Sequence, residues 1–257
     1  MEDSKKVNHS AVKLGKLSPR HDPRTLQFAN YIKSGEMPAP PAMYDWSAKI
    51  PAWGMMKNDT VGDCTCAAAG HLIMEWTANI GKIAKPTDAE VIAAYSAVTG
   101  YDPKTGNNDN GAVETDVLNY WRKKGIAKHK IMAYAALEPK NHIHVKQSVY
   151  IFGGCYIGLA LPVSAQNQKV WSVPPGGTSG KGAPGSWGGH AVPVVSYNDQ
   201  TLTVVTWGAL QQMTWSFWDT YCEESYAIIS KDFIKKNKTP LGFDLAALEQ
   251  DLTQIKH

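Results

Sequence analysis

The chain changes pattern once, near residue 145, and that change limits its fold more than any other feature. Before it, apolar residues recur at helical spacing between capping residues and glycine stops. "CTCAAAGHLIMEWTANIG" (64–81) predicts a helix with Asp63 or Gly62 as N-cap and Gly81 after its end; Asp63 would serve the helix amides if it points outward and oppose a Cys64 thiolate if it points inward. "TDAEVIAAYSAVTG" (87–100) predicts a second, capped by Thr87 and stopped by Gly100. "AVETDVLNYWRKKGI" (112–126) predicts a third, with Val113, Val117, Leu118, Tyr120 and Trp121 on its apolar side and Gly125 closing it.

After residue 145 the runs "VYIFGGCYIGLALP", "HAVPVVSY", "TLTVVTW" and "SYAIIS" are short, rich in β-branched residues and bounded by turn residues, as strands are. Helices first and antiparallel strands afterwards predict an α+β fold in two lobes, helical over about 58–145 and β over about 146–235, with a cleft between them. Residues 1–43, which include "PAPPA", form an N-terminal extension with at most one short helix around "RTLQFANYIKSG". Residues 236–257 form a helical tail with Leu245, Leu248, Leu252 and Ile255 on one face.

Lys and Arg number 26 against 23 Asp and Glu and are scattered, so no footprint for nucleic acid emerges. The opening "MEDSKKVNHS" lacks the apolar core of a secretory signal, and no stretch nears the ~20 apolar residues of a membrane span, so a cytoplasmic protein without membrane contact is expected. The four cysteines, Cys64, Cys66, Cys155 and Cys222, are expected as free thiols. A metal site at Cys64, Cys66 and His71 is disfavoured, because His71 sits two helical turns, ~10.5 Å, beyond Cys64. No metal and no cofactor are expected. His142 and His144 in "NHIH" read as one face of a surface strand.

Cys64 stands in the first turn of its helix, where the macrodipole stabilises a thiolate, and needs a histidine from elsewhere. "SVPPGGTSGKGAPGSWGG" (172–189) is a Gly/Pro/Ser loop that delivers the chain to His190 at the head of an apolar strand. Cys66 also lies in the first turn and reads as core.

These residues resemble the papain-like cysteine peptidases. Trp46 lies twelve residues before Asn58, and Asn58 six before Cys64, as the family's Trp, oxyanion-hole Gln and nucleophile are spaced. "NGAVETDVLNYWRKKGI" is similar to the substrate-cleft stretch, "GGHAVPVVSY" to the segment of the catalytic histidine, and "VVTWG" to the family's Asn-Ser-Trp-Gly. His190 follows Cys64 by 126 residues, a little under the roughly 130–150 of papain-like enzymes.

The resemblance spans about residues 44–230. It implies the papain-like form of the α+β fold, a helical N-terminal lobe and an antiparallel β C-terminal lobe with the active-site cleft between them. It implies Cys64 as nucleophile, His190 as base and Asn58 as oxyanion donor. Trp207 would shield the histidine, and Gly111, Ala112 and Gly189 would line the edge that pairs with a peptide or protein substrate. Two positions depart from the family: Asn58 stands for Gln, and Val205 for the Asn that orients the histidine. Thr206 after a register change, Asp219 or a backbone carbonyl could orient His190 instead, or the third member is missing and the pair works as a dyad. The implied function is a cysteine hydrolase of peptide or amide bonds. The alternatives are a papain-fold module that binds a peptide or protein without catalysis, and an acyl transferase using the same pair. Residues 1–43 read as a wrapping extension in preference to an autoinhibitory pro-segment.

Overall fold

The computed structural model describes residues 12–32, 39–233 and 245–254. Its helices are α1 (Cys64–Ile80), α2 (Asp88–Thr99), α3 (Glu114–Lys123), α4 (His142–Phe152), α5 (Trp215–Tyr221) and α6 (Leu245–Gln254). The strands are β1 (Leu26–Gln27), β2 (Tyr44–Asp45), β3 (Ile131–Ala136), β4 (Cys155–Leu161), β5 (Val170–Trp171), β6 (Gly188–Tyr197), β7 (Thr201–Thr206), β8 (Ala209–Thr214) and β9 (Cys222–Ser230). They form one largely antiparallel sheet in the order β1-β3-β9-β4-β6-β7-β8-β5, with β2 added to β6.

Local chemistry sets the helix ends. Thr87 and Glu90 form a reciprocal capping box at the start of α2, and Gly100 ends it in the left-handed conformation that costs a glycine nothing. α1 is buried on nearly every side, which its small residues Ala67, Ala68, Ala69 and Gly70 allow. A Cβ at Gly70 would lie 2.5 Å from the Met56 sulfur.

Two hydrophobic cores flank β6. Alternation along the strand sends Val192 and Val194 into a core shared with β4, α4 and α5, and Ala191 and Val195 into the core of the helical lobe with α1 and α3. This is the predicted two-lobed α+β arrangement.

The structure differs from expectation in three places. Val149–Phe152 is the last turn of α4, not strand, and Asn141 caps that helix by accepting from the His144 amide. "NHIH" therefore opens a helix: His142 pairs with Asp219 at 2.7 Å, and His144 is buried against Phe28. The N-terminal extension also contributes to the fold itself, since β1 pairs parallel with β3 and a 3-10 turn at Phe28–Tyr31 buries both of its aromatic ends. In the tail, Ala247 of α6 packs on the sheet-side core. Ile255 and the side chains at 245, 248 and 252, expected on one helical face, lie outside the described residues. Among the described residues no helix is long and apolar enough to cross a membrane.

Candidate active site

Three elements converge on Cys64. It is the first residue of α1, so its sulfur sits at the positive end of the helix. α1 packs on β6, and the amide of Ala191, the residue after His190, donates to Cys64 Sγ at 3.4 Å. β7 lies beside β6 and brings Thr206 Oγ1 within 2.7 Å of His190 Nε2. The imidazole is sandwiched further by Trp207, whose ring stacks on it at 4.4 Å between centroids and 15° between planes.

Trp207 takes a positive φ of 44°, unusual for a bulky residue, and with Gly208 at 72° it forms the tight turn joining β7 to β8. That turn directs the indole back over the histidine. Its Nε1 donates to the Lys13 carbonyl at 3.2 Å.

Asn58 is buried, and its Nδ2 donates to the Val61 carbonyl at 3.2 Å. Of the two orientations open to it, Asp63 takes the inward one. It holds the N-cap position with no side-chain capping bond and is fully buried. Burial pushes its carboxyl up to about 8, partly offset by the neighbouring Asn58 amide.

Sequence reasoning did not foresee that residues 13–17 run between the segments that hold Asn58, Ala112 and Gly189. The Lys13 amide meets the Asn58 carbonyl at 3.4 Å, the Ala112 amide donates to the Gly15 carbonyl at 2.8 Å, and the Lys16 and Leu17 amides donate to the Gly189 and Ala112 carbonyls, each at 3.0 Å. Gly15 is required there, because a Cβ on it would lie 1.7 Å from the Gly62 carbonyl oxygen. Gly111, Ala112 and Gly189, expected to line the edge that pairs with a peptide, thus meet the chain's own N-terminal segment, and Trp207 bonds to it as well. Only the glycine of "KLGKL" marked that segment in the sequence, and one glycine does not specify a partner surface.

Under this cover Cys64 and His190 are each 1% exposed. Burial pushes the Cys64 thiol up to about 12, despite the Ala191 and Gly15 amides that favour the anion. Desolvation under the cover thus opposes the ionised sulfur expected from the helix terminus.

Other candidates fall elsewhere. Asp219 belongs to α5 and pairs with His142, so Thr206 is the side chain that meets His190. His71 Nε2 donates to the Gly54 carbonyl, 3.0 Å away, and burial pushes its pKa down to about 4. Cys66 and Cys155 are buried thiols, and Cys222 is half-buried.

No family model and no curated protein matches this sequence. Solved structures do match. Xylellain, a cysteine protease from Xylella fastidiosa, superposes with a TM-score of 0.65 at 14% identity over 86% of this chain and 97% of its own. Procathepsin B S9 from Trypanosoma congolense gives 0.62 at 12% identity over 87% and 88%. Digestive procathepsin L 3 from Tenebrio molitor gives 0.59 at 11% over 86% and 77%.

The chain has the papain-like fold. Within it, a cysteine at the head of the buried helix lies against the adjoining strand beside a histidine, where the helical and sheet lobes meet. At these identities the likeness is one of fold, and the chemistry rests on the residues above.

Proposed function

We propose that this papain-fold chain is a cysteine hydrolase of peptide or amide bonds. The observation that carries it is the placement of His190 between Thr206 and Trp207, with the very next amide on the Cys64 sulfur. When the cleft opens to solvent and substrate, the desolvation that keeps the thiol neutral falls away. His190 takes the Cys64 proton through Nδ1 while Nε2 holds Thr206. The thiolate attacks the substrate carbonyl carbon and forms a C–S bond. The Cys64 amide and Asn58 Nδ2, released from the Val61 carbonyl, receive the oxyanion. The imidazolium then protonates the leaving amine as the C–N bond breaks, and water, deprotonated by His190, releases the acyl group. An acceptor amine in place of water would give acyl transfer from the same intermediate.

The covering segment is not placed as a substrate. Gly15 turns an amide N–H toward the sulfur, and its carbonyl is engaged by Ala112. Its hold on the catalytic residues favours regulation by residues 13–17. The same burial supports the competing view of a binding module without catalysis.

Cleavage of a mixed fluorogenic peptide library by the full chain, compared with Cys64→Ala and His190→Ala, separates the two. Hydrolysis lost in both variants supports the enzyme. A chain as inert as its variants, even after Gly15→Val has displaced the cover, points to the binding module.

A further inference from the structure

The cover is anchored by a side chain that ordinarily avoids the interior. The Lys16 side chain is fully buried, with Nζ 2.8 Å from Glu223 Oε2, 3.1 Å from Glu224 Oε1 and 3.1 Å from the Leu17 carbonyl. Two of the ammonium protons are donated, to Glu223 and to the Leu17 carbonyl, and Glu224 pairs with the charge without a hydrogen bond. Tyr226 donates to the other oxygen of Glu224 at 2.7 Å and fixes that carboxylate.

Consecutive residues on a strand point to opposite faces, so Glu223 and Glu224 should not converge. They do because the ladder between β4 and β9 slips there: Gly158 pairs with Glu224 and Leu159 with Cys222, leaving Glu223 as the extra residue of a bulge. Across the pocket Glu114, in the first turn of α3, is wholly buried, and neither of its carboxylate oxygens has a hydrogen-bond partner among the described residues. The floor is Gly158. A Cβ there would lie 2.0 Å from Lys16 Cε and 2.6 Å from Glu114 Oε1. Burial works against the ammonium, but Glu114, Glu223 and Glu224 together outweigh it and hold Lys16 charged.

A bulge, an unpartnered buried carboxyl and a glycine floor form a cationic-side-chain pocket within one residue of Gly15, whose amide touches the Cys64 sulfur. We propose that this pocket selects the substrate, admitting a lysine side chain close to the attacked bond, and that Lys16 fills it as an internal stand-in. The proposal deepens the hydrolase reading and rests on it for turnover, whereas the selectivity of the pocket can be measured by binding alone.

The test uses the full chain with Lys16→Ala, which empties the pocket, and two fluorescein-labelled peptides, Leu-Lys-Gly-Leu and its norleucine counterpart, followed by fluorescence anisotropy. The lysine peptide should bind roughly tenfold tighter or better, the scale of a charge-assisted hydrogen bond. Adding Glu224→Gln should bring the two affinities close together. Should Lys16→Ala lose its cooperative unfolding transition, the same pair on Gly15→Val, which lifts the cover, and on Gly15→Val with Glu223→Gln, at the partly exposed rim, decides instead, with preference for lysine falling in the double variant. Equal affinities, a preference for norleucine, or no binding of either peptide overturns the proposal. Lysine-selective binding with no hydrolysis of any peptide leaves the pocket standing and removes the hydrolase.

Discussion

His190 Nε2 and Thr206 Oγ1 lie 2.7 Å apart across the β6–β7 pair, and the sheet dictates which β7 residue fills this role. Val194 pairs with Val204 in an antiparallel ladder, so Thr206, two residues on along β7, lies toward the His190 end of β6 and shares the face of the even-numbered residues that includes His190. Val205 points the other way, into the helical-lobe core with Ala191 and Val195. The position that the family resemblance aligns with an orienting Asn is thus a core position, and the neighbouring hydroxyl meets the imidazole.

Thr206→Val keeps the volume and removes the hydrogen bond. If Thr206 orients a base that becomes charged, kcat/KM on a peptide substrate should fall roughly ten- to hundredfold with little change in stability, and Thr206→Ser should restore most of it. The acidic limb of the pH–rate profile should move in Thr206→Val, which a purely structural loss would not do. An unmoved profile with unchanged rate would remove Thr206 from the machinery.

The cover makes a separate prediction at Cys64. With the thiol pushed up to about 12 by burial, iodoacetamide should modify the unaltered chain slowly near pH 7. Gly15→Val sets a side chain against the Gly62 carbonyl, a backbone atom that no rotamer change can clear. Cys64 labelling, read by peptide mass mapping, should then rise by about an order of magnitude or more, while Cys155 stays protected beneath the sheet. Equal labelling before and after would mean that residues 13–17 do not gate the sulfur.

The N-terminal extension also does structural work, through different residues. Phe28 is fully buried and packs edge-on against His144 and Phe152. Phe28→Ala should cost about 3–5 kcal/mol in denaturant unfolding, as large-to-small core changes do. A loss below 1 kcal/mol would show that the turn at Phe28–Tyr31 packs loosely. Deleting the whole extension would mix this loss with uncovering of Cys64, which is why a single substitution at Gly15 isolates the gate.

What the sequence disclosed followed the range of the interactions. The capping box of Thr87 and Glu90, the Gly100 stop and the position of Cys64 at a helix mouth arise within a few residues and were legible. The pairing of "GDC" with "GGHA" was legible only through family spacing. Val149–Phe152 was misread as strand because a short apolar β-branched run has no period of its own, and the Asn141 cap that decides it lies eight residues earlier. The Lys16 pocket draws on residues 16, 114, 158, 223 and 224, and its key device is a bulge, which leaves no mark in a single sequence. The sequence left Asp63 free to point outward as a cap or inward, and the packing of α1 against β6 decides it by burying the side chain.

That burial makes Asp63 a pH-dependent element beside the nucleophile. Its carboxyl is raised to about 8 from an ordinary 3.8, desolvation being the main cause. Between about pH 4 and pH 8 the native chain therefore keeps a proton that the unfolded chain releases, and stability from this group is complete below about pH 4 and declines as pH rises toward 8. Near neutral pH the carboxyl is uncharged and does not oppose a thiolate on Cys64; above about 8 it ionises and does. Asp63→Asn removes both effects. The stability of Asp63→Asn relative to the unaltered chain, from urea midpoints at matched m-values, should increase steadily from pH 4 to pH 8.5. The alkaline fall in peptide hydrolysis should also move to higher pH. A stability difference that stays constant across that range would mean that Asp63 ionises normally in the folded protein.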